Sequence, residues 1–190
     1  MQRVFFGEST LLPNIVSLIV GTAASVLAGV LLLRFWIQVV RVRPPVSLSQ
    51  FIYQLTDWLV RPLRRIFPGV AGYDWASLIG ALLIALLATV IELSLTGQLS
   101  AQVAFVWSLL RLAEWVFYGL TGLILIGAVF SWVNPHAPLA PFVNALNEPI
   151  LMPIRRVIPL IGNMDLSPLV ALVLLRIAMQ LTTYMISALM

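Results

Sequence analysis

Four long apolar runs alternate with more polar segments along the chain. The first, second and fourth cover roughly residues 15–39, 75–95 and 166–189, and the third lies within 103–133. A helix needs about 20 apolar residues to cross the hydrocarbon core of a bilayer, so each run is predicted to span a membrane as a helix. The third run exceeds one straight span, and we expect its start to lie in or beyond the interface.

The two segments that join spans, 41–74 and 134–165, have a different pattern, in which apolar side chains recur at helical spacing with polar residues between them. These side chains are Phe51, Ile52, Leu55, Trp58 and Leu59 in the first connector, and Phe142, Val143, Leu146 and Ile150 in the second. The pattern predicts short amphipathic helices lying in the membrane interface.

Prolines and polar residues suggest where these connectors are divided. Pro62 and Pro153 suit the first turn of a second short helix in each connector. Pro68 and Pro159 are expected to end that helix. The spans that follow would then be capped by Asp74 in the first half of the chain and by Ser167 in the second.

The chain contains an internal repeat. The segment 61–68, with Pro62, Arg64, Arg65 and Pro68, is echoed 91 positions later by 152–159, and the same offset pairs Asp74 with Asp165. Matched proline, arginine and aspartate are more informative than matched apolar residues in so apolar a chain. We therefore predict an all-α integral membrane protein of two repeats, 1–97 and 98–190, each built as span, amphipathic connector and span.

Composition supports the membrane class. The chain is 61% hydrophobic and 9% charged, with a mean hydropathy of +1.04. Its first apolar stretch, from about Leu11 to Val40, is far longer than the apolar region of a signal peptide, so it is interpreted as a retained span.

Arginine counts predict the orientation of the spans. The first connector holds five arginines and the second holds two, whereas the opposite side holds Arg3 and Arg111. By the positive-inside rule both connectors face the cytoplasm and both termini face the periplasm. Both repeats then have the same orientation and are related by an axis along the membrane normal, which disfavours an alternating-access transporter.

Small residues at intervals of four predict close helix packing. They are Gly21, Ser25 and Gly29 in the first span, and Ser77, Ala81 and Ala85 in the second. Such a stripe serves either the four-helix bundle itself or a homo-oligomer.

Two arginines lie inside predicted spans. Arg176 is about ten residues into the fourth span, and a charge at that depth costs roughly 2.5–3.5 kcal/mol on insertion scales. We therefore expect Arg176 to face the bundle interior. Its candidate partners are Glu92, Glu114, Asp74 and Asp165. Arg34 is nearer the cytoplasmic end of the first span and is expected to extend to the headgroups.

The pairs Arg64–Arg65 and Arg155–Arg156 lie next to the membrane. Each pair suits topology determination and contact with lipid phosphate, and their duplication in one Pro-x-Arg-Arg-x-x-Pro motif favours a defined partner. The net charge of +4 indicates anionic lipid as a partner, whereas nucleic acid is not expected because the arginines form no continuous basic face. The echoed carboxylates, Asp57/Glu148 and Asp74/Asp165, are expected to neutralise arginines or cap helices.

Catalytic chemistry has little support in the sequence. There is no cysteine, and the single histidine, His136, follows Pro135 in a connector. No catalytic triad pattern, metal-ligand cluster or phosphate-binding glycine loop is present, so no catalytic residue, metal or cofactor is predicted.

The second repeat resembles the YggT family of small integral membrane proteins. The pattern is Ser-Trp followed by Pro, then Glu-Pro, then Pro-x-Arg-Arg-x-x-Pro, then Asp-x-Ser-Pro. Its residues are Ser131, Trp132, Pro135, Glu148, Pro149, Pro153, Pro159, Asp165, Ser167 and Pro168. The first repeat departs from it, since Gln38 and Val39 stand in place of Ser-Trp and Trp58 replaces the proline of Glu-Pro.

The resemblance implies a protein of the bacterial inner membrane with no established enzymatic activity. Plastid relatives are linked to assembly of cytochrome complexes and to thylakoid organisation, and bacterial ones to cell division and osmotic stress. We therefore expect a non-enzymatic organising factor that contacts anionic lipid or other membrane proteins. The alternative is a small channel or transport accessory that uses Arg176 and Arg34.

Overall fold

The computed structural model describes residues 5–69, 72–157 and 165–188, with side chains from residue 13 onward. The regular elements in these residues are helices. They are α1 (Phe5–Val40), α2 (Val46–Ile66), α3 (Trp75–Thr96), α4 (Ala101–Val133), α5 (Ala140–Arg155) and α6 (Ser167–Ser187).

Four of these helices are long and apolar enough to cross a membrane. They are α1 from Pro13, α3, α4 and α6, and they coincide with the four predicted spans. The prediction of an all-α membrane protein with four spans is confirmed. The predicted end of the fourth span, Leu189, lies outside the described residues.

The spans pack in an open arrangement. Helix α1 packs on α3 in the first repeat, and α4 packs on α6 in the second. The repeats join where α4 contacts both α1 and α3, whereas the described part of α6 contacts only α4 and α5. Helix α6 therefore lies at the periphery of the bundle.

Both connectors lie at one end of the bundle. The indole Nε1 of Trp36, near the end of α1, donates a hydrogen bond to the carbonyl oxygen of Leu146 in α5 at 3.1 Å. One apolar cluster also combines Ile37 of α1, Ile52 of α2 and Phe142 of α5. The two repeats therefore run in the same direction, as predicted.

Within residues 41–69, 72–74, 134–157 and 165, each connector contains one helix, where two were predicted. Pro62 lies inside α2 and Pro153 inside α5, so the prediction that they begin separate helices is wrong. A proline removes one backbone hydrogen bond, and these prolines lie within the last five residues of their helices, where little helix remains to be lost. Helix α2 ends before Pro68, as expected, while Pro159 lies outside the described residues.

The apolar side of α2 is divided between the bundle and the exposed surface. Ile52, Thr56, Val60 and Leu63 are buried, whereas Phe51 and Trp58 are exposed. Large aromatic side chains are common where protein meets the membrane interface. In α5, by contrast, Phe142, Val143 and Leu146 are buried.

The two small-residue stripes have different outcomes. Ser77, Ala81 and Ala85 are fully buried, which confirms that α3 packs closely on its neighbours. In α1, however, Ala24 and Ala28 are the buried small residues and Gly29 is exposed. Gly29 therefore does not contribute to packing among the described helices, and a role of the α1 stripe in a homo-oligomer stays a prediction.

Candidate functional site

Arg34 is the centre of a buried polar cluster in the first repeat. Its side chain is 6% exposed, and Nη1 donates hydrogen bonds to Thr56 Oγ1 at 2.6 Å and to Asp57 Oδ1 at 2.8 Å. Its guanidinium also stacks on the ring of Tyr53, 4.8 Å from the centroid. The expectation that Arg34 extends to the headgroups is wrong, because α2 supplies partners inside the protein.

Asp74 is the second buried member of this cluster. Arg64 forms a two-bonded contact with it, Nε to Oδ1 at 3.2 Å and Nη2 to Oδ2 at 2.6 Å, and Ser77 Oγ donates to Oδ2 at 2.7 Å. Arg34 Nε lies 3.3 Å from the same Oδ2 but is not aligned for a hydrogen bond. Asp74 occupies the N-cap position of α3, as predicted, but its carboxylate bonds side chains and not a backbone amide.

Charge pairing dominates the ionisation of these carboxyls. Burial raises the pKa of Asp74, but the bonds from Arg64 and Ser77 outweigh it and hold the pKa below its ordinary value. For Asp57, burial likewise raises the pKa, while Arg34 and then Arg61 lower it further than burial raises it. Both groups therefore stay ionised at neutral pH.

The second repeat contains a matching but smaller cluster. Arg155 donates from Nε to Asp165 Oδ2 at 2.9 Å and from Nη1 to Glu148 Oε2 at 3.2 Å. The Arg155–Asp165 pair repeats the Arg64–Asp74 pair at the same separation of ten residues. The expectation that the echoed carboxylates neutralise arginines is confirmed here.

The start of α6 differs from the prediction. Ser167 is the first residue of α6 and not its cap, and its backbone amide donates to Asp165 Oδ1 at 2.9 Å. Burial raises the pKa of Asp165, but the bonds from Ser167 and Arg155 hold it below its ordinary value. Asp165 therefore accepts from the amide of Ser167 itself, and the Ser167 side chain does not cap the helix.

The two arginines of each echoed pair have separate roles. Arg64 and Arg155 fold back onto the aspartate that precedes the next span. Arg65 and Arg156 are exposed and form no ion pair with any residue that the structure describes; Arg156 Nη2 lies 3.9 Å from Met152 Sδ. The sequence did not distinguish the members of a pair, because they are adjacent and identical in type.

Arg176 lies on the exposed side of α6, so the prediction that it faces the bundle interior is wrong. Three of its four candidate partners are engaged elsewhere: Glu92 pairs with Arg111 on α4, with one bond of 3.0 Å, and both aspartates pair with other arginines. Among residues 13–69, 72–157 and 165–188, no hydrogen bond or ion pair involves Arg176. Helix α6 is peripheral, so most of its surface has no neighbour within the chain.

A pocket of about 600 Å³ lies between α4, α5 and the start of α6. Several residues of the YggT-like pattern line it, namely Ser131, Trp132, Pro135, Asp165 and Pro168. Glu148, Pro149 and Pro153 lie exposed on α5 but do not line it. Five of the pattern residues therefore share one cavity.

Asn147 is a member of this pocket that sequence reasoning missed. It is 1% exposed, its Nδ2 donates to the carbonyl oxygen of Leu123 at 2.8 Å, and its Oδ1 is buried without a partner. Because a carbonyl can only accept, this bond assigns the amide nitrogen to the side that faces Leu123 and leaves Oδ1 as the unpaired acceptor. The signal was available, because the 91-residue offset places Asn147 opposite Thr56.

The described residues contain no group of three His, Asp or Glu side chains placed to hold a metal ion. His136 is exposed in the turn after α4. The two clusters consist of arginine–carboxylate pairs, an arrangement suited to holding helices together and to recognising charged groups.

These features define a multi-pass helical membrane protein built from two parallel repeats, with a polar cluster at the same end of each. The sequence matches the CCB3/YggT family twice, over residues 13–95 and 106–186. The chain belongs to the CCB3/YggT family.

The curated relatives cover most of the chain. An uncharacterised protein of Pseudomonas aeruginosa is 36% identical, covering 84% of this chain and 83% of its own. An uncharacterised protein from the proC 3′ region of Vibrio alginolyticus is 34% identical, covering 87% and 91% respectively. The uncharacterised protein YggT of Escherichia coli K12 is 29% identical, covering 85% and 86%. No solved structure matches this chain.

Proposed function

We propose that this chain is a non-enzymatic organising factor of the bacterial inner membrane. The observation that carries the proposal is the exposure of Arg65 and Arg156, one from each repeat, beside connectors that lie at one end of the bundle. Each has a neighbouring arginine that is already paired, so these two are the members left to contact anionic headgroups or a partner membrane protein.

The channel alternative is less well supported by the geometry. Arg34 is locked between carboxylates and borders a cavity of about 20 Å³, which has room for about one water molecule. Arg176 lies on the outer side of α6, in the other repeat. The two arginines therefore lie in different surroundings, which favours the organising role over the channel alternative.

The orientation of the chain is part of the proposal, with both connectors cytoplasmic and both termini periplasmic. Since the chain lacks cysteine, single cysteines can report it. Ser100→Cys, between α3 and α4, is expected to react with a membrane-impermeant maleimide in intact cells. Ser47→Cys and His136→Cys, in the two connectors, should react only after the inner membrane is opened. The reverse labelling would contradict the proposed orientation.

Neutralising the exposed arginines is expected to remove the organising role while leaving the fold intact. An arginine near an anionic surface contributes about 1 kcal/mol, so R65Q/R156Q should lower the preference for phosphatidylglycerol over phosphatidylethanolamine by roughly 30-fold. Native mass spectrometry of the purified protein measures this preference. In cells lacking the chain, blue-native gels should show the loss of at least one membrane complex, rescued by the wild type but not by R65Q/R156Q.

Two control variants sharpen this test. R65K/R156K keeps the charge and should retain lipid preference, although it loses the planar, two-bonded geometry of arginine. R176Q removes an exposed arginine away from the connectors and should rescue fully. Equal lipid preference in R65Q/R156Q and the wild type would contradict the proposal. Rescue of the membrane complex by R65Q/R156Q as well as by the wild type would also contradict it.

A further inference from the structure

The sequences of the two repeats align with one offset in their first spans and a different offset in their connectors. The family match begins at residues 13 and 106, which are 93 apart, and ends at 95 and 186, which are 91 apart. Burial agrees with an offset of 93 for the spans α1 and α4, since this offset pairs Leu31 with Ile124, both fully buried. The same offset pairs Arg34 with Gly127.

Gly127 has no side chain at the position where the first repeat has Arg34. A Cβ at Gly127 would lie 2.5 Å from Asn147 Nδ2, so this glycine directly faces the residue equivalent to Thr56. In the first repeat Thr56 accepts a hydrogen bond from Arg34. In the second repeat Gly127 and Asn147 instead line the 600 Å³ pocket.

The acceptors that Arg34 uses have counterparts around this pocket. Thr56, Asp57 and Asp74 correspond to Asn147, Glu148 and Asp165 at the 91-residue offset. The Oδ1 atom of Asn147 is a buried acceptor without a hydrogen bond. A buried acceptor without a hydrogen bond is energetically unfavourable, so a donor that reaches this oxygen would be stabilised by it.

Charge distinguishes the two clusters. In the first, Arg34, Arg61 and Arg64 face Asp57 and Asp74, which leaves one excess positive charge. In the second, Arg155 alone faces Glu148 and Asp165, which leaves one excess negative charge. A cation in the pocket would neutralise this cluster, whereas a phosphate or other anion would increase its imbalance.

We propose that the pocket of the second repeat binds a guanidinium group supplied from outside the chain, in the position that Arg34 occupies in the first repeat. Trp132 and Phe130 in its wall offer aromatic surfaces of the kind on which guanidinium groups stack, as Arg34 does on Tyr53. The group belongs either to an arginine side chain of a partner protein or to a free guanidinium compound.

Binding by the purified full-length chain tests the chemistry. The probes are N-acetyl-arginine amide, its lysine analogue and its citrulline analogue, which has the shape of arginine without the charge. Calorimetry in detergent should show the arginine probe binding at least tenfold more tightly than the lysine probe, with no citrulline binding. Equal binding of the arginine and citrulline probes would overturn the proposal.

A transplanted arginine tests the position. G127R/N147T recreates the Arg34–Thr56 pair in the second repeat and should abolish binding of the arginine probe. It should also melt at a higher temperature than G127M/N147T, which fills the pocket without charge. Unimpaired probe binding in G127R/N147T would overturn the proposal. If that variant does not fold, Asp165→Asn tests the same proposal. It is expected to bind the arginine probe at least tenfold more weakly than the wild type, and unchanged affinity would overturn the proposal.

A photocrosslinker at Ser131, an exposed residue of the pocket wall, distinguishes the two possible sources of the guanidinium group. A protein adduct in native membranes that the arginine probe displaces, and that G127R/N147T lacks, identifies a partner's arginine. Probe binding without such an adduct identifies a free compound. Since these assays do not involve Arg65 or Arg156, their failure is distinct from failure of the proposed organising role.

Discussion

Replacing Arg34 by alanine should destabilise the chain by about 3–5 kcal/mol, the loss expected when one partner of a buried ion pair is removed. The variant leaves Asp57 without its shortest contact and Asp74 with one fewer neighbouring charge, while its own site is nearly closed to solvent. Reversible unfolding in mixed detergent micelles, followed by circular dichroism, measures the change.

Arg176→Ala is the matched control, because it removes the other arginine that lies inside a span. Arg176 is exposed and makes no ion pair within the described part of the chain, so no measurable change in the free energy of unfolding is expected. Arg34→Lys should recover only part of the loss, because one ammonium can replace Nη1 but not also the Nε that faces Asp74 or the planar group over Tyr53. Equal losses for Arg34→Ala and Arg176→Ala would show that Arg34 does not hold the first repeat together.

The echoed aspartates should respond unequally to the same substitution. Asp74→Asn is expected to cost about 3 kcal/mol, because a carboxylate that is only 2% exposed loses its charge-assisted bonds to Arg64 and Ser77. Asp165→Asn should cost about 1 kcal/mol, since its pair with Arg155 is open to solvent and asparagine can still accept from the Ser167 amide.

The unfolding assay that measures Arg34→Ala also measures this pair. The double variant R64Q/D74N should cost less than the sum of its single substitutions, because removing both partners leaves no unpaired buried charge. Similar losses for Asp74→Asn and Asp165→Asn would indicate that the two clusters are energetically equivalent, contrary to their burial.

These unequal responses follow from a structural difference between the two repeats that their similar motif sequences do not show. In the motif segment, each repeat has the same proline, arginine pair and aspartate. In the structure, Arg34 pairs with a carboxylate of the first cluster, whereas an open pocket lies beside the second cluster. The second repeat carries the fuller family pattern, and five residues of that pattern line the pocket. The two repeats therefore combine a closed, self-paired unit with an open one.

The positions of the spans and the repeat were predictable because their signals are local. A run of about 20 apolar residues spans a bilayer whatever its neighbours are, and the echo of Arg64 and Asp74 in Arg155 and Asp165 is visible at a constant offset. The connectors were predictable as helices from their apolar spacing, although Pro62 and Pro153 were assigned too strong an effect on helices that were about to end.

The sequence by itself determined the class of this protein, its four spans, its parallel repeat and the residues from which its polar clusters are built. Only the tertiary structure decided that Arg34 is buried, that Arg176 is exposed and that Asn147 and Gly127 enclose a pocket. The reason is physical: lipid tails are as apolar as leucine, so hydropathy does not show which side of a spanning helix meets protein and which meets lipid. That choice depends on how the helices pack, and it also selects the partner of each charge.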